Sequence, residues 1–173
     1  FLATPRRGIA LGGKLVAGIA MGALYVVIAL VSAVGPGAGF LALFGLDTAL
    51  GDADTWAVIG RTALALILWT LIGIGIGTLV RNQVAAIVIV LVFTQFVEPI
   101  VRLAGGFVDG LAEVTSFLPG AASDALVGSS IYTMMGSGTG AAEPLEWWAG
   151  GLVLAGYTVV LVVLGHLLSW RRD

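Results

Sequence analysis

The sequence predicts an all-α, polytopic membrane protein. Three observations lead there. The 173 residues are 59% hydrophobic and only 10% charged, against about 25% charged in soluble domains, and the mean hydropathy is +1.08. Long uncharged stretches approach the roughly 20 apolar residues that a membrane-crossing helix requires. None of them alternates with a period of two, which argues against lipid-exposed barrel strands. Such hydrophobicity also excludes disorder.

The first predicted span covers about residues 15–34, from Lys14 to the Gly35-Pro36-Gly37 breaker. The second covers about 57–80 and ends at Arg81-Asn82-Gln83. The third, about 84–104, is uncharged to Val97, then meets Glu98, Pro99 and Arg102 and stops before Gly105-Gly106. Pro99 is expected to kink it. The fourth covers about 147–169, before Trp170-Arg171-Arg172-Asp173. All are apolar nearly all round, as membrane spans are.

Two longer connections remain, 35–56 and 105–146. In the second, Phe107 to Leu118 reads as a short amphipathic helix stopped by Pro119-Gly120, and Ala121 to Val127 as another. Both are too short to span and suit an interfacial or re-entrant position. Ser129 to Ala142, with its Gly and Ser content, is expected to be mobile. The chain begins at Phe1 without a charged leader or cleavage site, so no signal peptide is expected and the N-terminal part of a longer protein is expected to precede it.

Positive charge sets orientation. Arg6, Arg7, Lys14, Arg81, Arg171 and Arg172, six of the eight Lys and Arg, fall on the side of the termini. That places both termini in the cytoplasm of a plasma-membrane protein. Trp56, Trp147, Trp148 and Trp170 sit at span ends, as an aromatic belt requires.

A formal net charge of −2, with eight basic and ten acidic residues, offers no field for nucleic acid. The absence of Cys removes disulfides, thiolate chemistry and Cys-type zinc sites. No HExxH, second His or ordered Ser–His–acid set is present, so no catalytic, cofactor-binding or metal-binding residue is nominated. His166, near the end of the last span, reads more readily as a hydrogen-bonded residue than as a ligand or proton relay. Gln95 and Asn82 are expected to bond between helices or at the interface, and Arg61 to snorkel.

Two groups of residues stand out. Gly73, Gly75 and Gly77 make GIGIG inside the second span. No strand precedes them and no Lys-Ser or Lys-Thr follows, so this is not a phosphate loop. Gly73 and Gly77 form a GxxxG step that lets helix backbones approach, against another span of this chain or at a subunit interface. Glu98 and Arg102 stand at i and i+4, sharing a helix face. Counting ~1.5 Å per residue from Val84, Glu98 lies roughly 21 Å into a core about 30 Å thick. A carboxylate there needs a partner, and Arg102 is the expected one. The pair could line a polar route or outer gate, or simply neutralise itself at the interface.

Several segments resemble the permeases of type-2 ABC exporters. Thr4-Pro5-Arg6-Arg7-Gly8 followed by Gly13-Lys14-Leu15 is similar to the family's stretch from the cytoplasmic coupling helix into the third span. Gly77-Thr78-Leu79-Val80-Arg81-Asn82-Gln83-Val84-Ala85-Ala86 resembles the fourth span and its turn into the fifth. Phe96-Val97-Glu98-Pro99 with Phe117-Leu118-Pro119-Gly120 resembles the end of the fifth span and the short outer helices, and Trp170-Arg171-Arg172-Asp173 the basic tail. The resemblance covers nearly the whole chain by order and topology, and the chain lacks the family's first two spans and most of the coupling helix.

The resemblance implies a permease subunit, with Pro5, Arg6 and Arg7 at the coupling region. It also implies a second permease half, homo- or heterodimeric, and a separate ATPase subunit that holds ATP and magnesium. Alternating access between two discrete packings would move the substrate. The competing readings are a structural or assembly subunit without transport and an intramembrane enzyme, against which the missing catalytic groups argue.

Overall fold

The computed structural model describes residues 7–80, 82–105, 107–108, 110–128 and 145–170. Every regular element among them is helical, as the predicted all-α class requires. Helix α1 is Arg7–Leu43, α2 is Ala53–Leu79, α3 is Gln83–Val92, and a π-helical turn over Phe93–Val97 leads into α4, Glu98–Gly105. Two short helices follow, α5 (Leu111–Ser116) and α6 (Pro119–Val127), and then α7 (Trp147–Trp170). Four segments are long and apolar enough to cross a membrane: Val16–Leu43, Ala53–Leu79, Gln83–Gly105 and Trp147–Gly165. The chain is therefore a multi-pass membrane protein in composition and in secondary structure.

The first span corrects the expected boundary at residue 34. Helix α1 continues through Gly35-Pro36-Gly37 to Leu43, so the connection to α2 is confined to residues 44–52. Pro36 withholds one N–H from the ladder, and the helix carries it, with nothing within 4 Å of a Cβ at Gly35 or Gly37. Beyond α1, the Trp56 indole N–H donates to the Leu50 carbonyl at 3.0 Å, tying the connection to the start of α2.

The turn after α2 is short, and Asn82 caps the helix that follows. Its side-chain oxygen accepts from the Val84 and Ala85 N–H groups at 3.0 and 3.3 Å, an N-cap rather than the inter-helix or interfacial bond expected of it. In the third span the expected proline irregularity lies just ahead of Pro99. The Glu98 N–H reaches back five residues to the Phe93 carbonyl. This wider turn opens the ladder where Pro99 has no N–H to give.

Pro119-Gly120, expected to stop a helix, instead occupies the first two positions of α6. Proline is favoured there because its φ is already helical and its missing N–H would have had no intrahelical partner. Gly128 ends α6 with φ +86°, a left-handed terminus that suits glycine. The segment expected to be mobile, Ser129 to Ala142, lies outside the described residues.

The chain divides into two compact units, up to Leu71 and from Ile72 onward. In the first, Gly22 of α1 lies against Thr70 of α2 so closely that a Cβ would sit 3.0 Å from the Thr70 side chain. Val26 and Ala65 are buried in the same unit. In the second, α6 packs on α7, with Leu126 and Leu154 fully buried. Gly150 is pressed onto α6, where a side chain would strike the Ala122 carbonyl and come within 2.9 Å of the Leu126 nitrogen.

Candidate functional site

The π turn and Pro99 deliver Glu98 to the first turn of α4, with Arg102 one turn further on. Both point to the same helix face, as their spacing predicts, but the expected ion pair between them is not the one formed. Glu98 is 3% exposed, and its Oε1 accepts from the Ala121 N–H at 2.9 Å, with Gly120 lying beside the same carboxylate. Arg102 Nη1 meets Asp124 Oδ2 at 2.8 Å. Both α4 side chains therefore reach across to α6, and Arg102 acts on Glu98 only through space. The reason is geometric. Glu98 and Arg102 share a face and are within reach of each other, but α6 presents the Ala121 N–H to Glu98 and a second carboxylate, Asp124, to Arg102.

Backbone proximity makes this possible. A Cβ on Gly120 would lie 2.5 Å from Glu98 Oε1, so only glycine lets the carboxylate approach the chain here. On the other side, the Tyr157 hydroxyl of α7 donates to the Phe117 carbonyl at 3.2 Å, holding the junction between α5 and α6. Thr115 of α5 packs against Gly105 at the end of α4, where a Cβ would stand 3.0 Å from the Thr115 side chain. Arg102 and Asp124 are partly accessible, their side chains 15% and 33% exposed, whereas Glu98 is enclosed.

Asp124 and Gly120 are the site residues that sequence reasoning did not nominate. A signal exists: Asp124 is the only charge in Pro119–Val127 and stands one turn beyond Gly120. Its partner, however, lies 22 positions earlier in the chain, and no periodicity links the two.

Of the two expected roles for the glycine step, packing inside its own unit is not the one formed. Within the described structure nothing lies within 4 Å of a Cβ at Gly73 or Gly77, so the GxxxG step makes no close contact with another span of its unit. Gly75, between them, does: a Cβ there would be 2.7 Å from Leu161 Cβ of α7. The buried face of α2 is thus the one through Ile72 and Gly75. Gly73 and Gly77 line an open groove of about 620 Å³ with Ile76, Gln83, Ala86 and Val90.

Of the expected coupling residues, Pro5 and Arg6 lie outside the described residues, and Arg7 opens α1. His166 lies in α7, its side chain outside the described set. Among the described residues no group of three or more His, Cys, Asp or Glu could hold a metal ion. What the site can do is mechanical: it joins the end of a membrane span to a short helix through one enclosed carboxylate and one accessible ion pair. Comparison with known protein families, curated proteins and solved structures finds no match.

Proposed function

We propose that the chain is the membrane-spanning permease subunit of an ATP-driven ABC exporter, coupled to a separate ATPase subunit and paired with a second permease half. The observation that carries this reading is an order of features. A basic N-terminal stretch precedes a span, a Gly-rich span ends in a basic turn, and a third span ends in Glu-Pro before two short helices. A final span then closes in a basic tail. The type-2 exporter permeases combine the same features in the same order. That α5 and α6 fold back against the end of the third span and the start of α7 supports the reading, because short outer helices of this kind are what the resemblance implies.

In this reading both termini face the cytoplasm across the plasma membrane. The region of Pro5, Arg6 and Arg7 receives motion from the ATPase, where ATP and magnesium are bound. The spans then exchange between two discrete packings. The chain supplies the route and no catalysis of its own.

The test is reconstitution of the full-length permease with its ATPase in proteoliposomes. Co-purification of the two, ATP hydrolysis stimulated by a transported compound, and loss of that stimulation on Arg6→Glu/Arg7→Glu are the expected results. A permease that never captures an ATPase would overturn the reading in favour of a structural or assembly subunit. External labelling of a single Cys at Ser169 in intact cells would overturn the orientation.

A further inference from the structure

Helix α6 has nine residues, too few to be stable alone, and begins without a local cap. Its N-cap residue is Leu118, which has no side-chain acceptor to offer. The first intrahelical bond runs from the Ala122 N–H to the Leu118 carbonyl at 2.8 Å. An α-helix leaves its first four N–H positions without intrahelical partners, and here all four can be traced. The Leu118 N–H donates to the Thr115 carbonyl at 3.2 Å. Pro119 has no N–H. The two that remain are Gly120 and Ala121: the Ala121 N–H donates to Glu98 Oε1 at 2.9 Å, and Gly120 lies against the same carboxylate. These are the second and third helical positions, the ones an N-cap side chain ordinarily serves.

We propose that Glu98, reaching out of the third membrane span, is the remote N-cap of α6. Together with the Arg102–Asp124 pair it forms a two-point clasp that joins α4 and α6 into one body. Glu98 is in this sense a positioning residue. The two points match in step: Glu98 and Arg102 are four residues apart on α4, and Gly120 and Asp124 are four apart on α6. They differ in exposure, so the Glu98 end is the fixed point and the Arg102–Asp124 end the more yielding one. A side chain at Gly120 would have to displace the carboxylate, since a Cβ there would stand 2.5 Å from Glu98 Oε1. The inference does not depend on the transport reading.

The test is hydrogen exchange of the full chain in lipid nanodiscs, resolved to individual amides. Glu98→Met should speed exchange at Ala121 and through the first turn of α6 by about fivefold to tenfold, the loss of one cap. Amides in the middle of α7 should stay unchanged. Adding Leu118→Asp to Glu98→Met places an acceptor at the local N-cap and should restore the slow exchange. A residue that only fills space would not be rescued in this way. Gly120→Ala keeps the charge but pushes it away, and should loosen the same amides. If Glu98→Met does not fold, recovery of folded protein by Leu118→Asp and loosening in Gly120→Ala are the expected results. Unchanged exchange in either Glu98→Met or Gly120→Ala, or loosening that Leu118→Asp leaves uncorrected, would overturn the proposal.

Discussion

The helix pair of the first unit and the end of the third span in the second are held by different physics. Helices α1 and the first part of α2 meet through small and apolar side chains, Gly22 on Thr70 with Val26 and Ala65 buried nearby. Both are long and stand as helices without a partner's help, because an apolar medium leaves the backbone no alternative to its own hydrogen bonds. Such contacts allow close approach and leave the register adaptable. At the end of the third span the helices are six to nine residues long. They need directional contacts, and they have them in Glu98 on the α6 amides, Arg102 on Asp124 and Tyr157 on the Phe117 carbonyl. Long spans can rely on shape, whereas short helices need polar partners that specify one position.

The largest expected effect breaks the second unit where shape and not charge is used. Gly75→Leu forces a side chain into Leu161 and should cost about 3 kcal/mol or more, the upper end of overpacking. Gly77→Leu, one turn-face away and facing the open groove, should leave the stability of the isolated chain within about 0.5 kcal/mol. Unfolding in mixed micelles measures both. Equal destabilisation would mean that the groove is filled.

Next in size, Arg102→Met and Asp124→Asn should each destabilise the chain and couple by about 0.5–3 kcal/mol in a double-mutant cycle. In a parallel cycle Glu98→Gln and Arg102→Met should couple more weakly. The reverse ranking would restore the pair expected from the i, i+4 spacing and dissolve the contrast drawn above.

In the first unit, Gly22→Ala should cost about 1 kcal/mol, since a Cβ at 3.0 Å must displace Thr70. Thr70→Ala in the same molecule should recover most of it, as expected of a steric contact with no directional bond. Smallest of all, Tyr157→Phe removes one neutral, partly exposed hydrogen bond, at the low end of about 0.5–1.5 kcal/mol. A loss several times larger would mean that the junction between α5 and α6 depends on Tyr157 as much as on Glu98.

Much of this architecture was legible in the residues themselves. The four spans follow from uncharged length, and the break in the third from Pro99. The helices after it follow from apolar runs interrupted at Pro119 and Gly128. Glu98 and Arg102 could be singled out because charges inside a span are costly. Their partners could not be named, because a sequence displays neighbours at three and four residues and hides those at twenty-two or twenty-three. For the same reason the GxxxG spacing drew attention to Gly73 and Gly77 while the close contact belongs to Gly75.

What the sequence determined by itself is therefore the set of helices, since hydropathy and backbone satisfaction in an apolar medium act locally and admit no other element. The tertiary structure decided which groups meet. Pro36, which reads as a stop in the sequence, is carried inside α1. Glu98 binds α6 because folding brings the Ala121 N–H within 2.9 Å of a buried carboxylate. In a protein interior, buried polar groups are hydrogen-bonded, and the fold, not proximity along the chain, brings the partner.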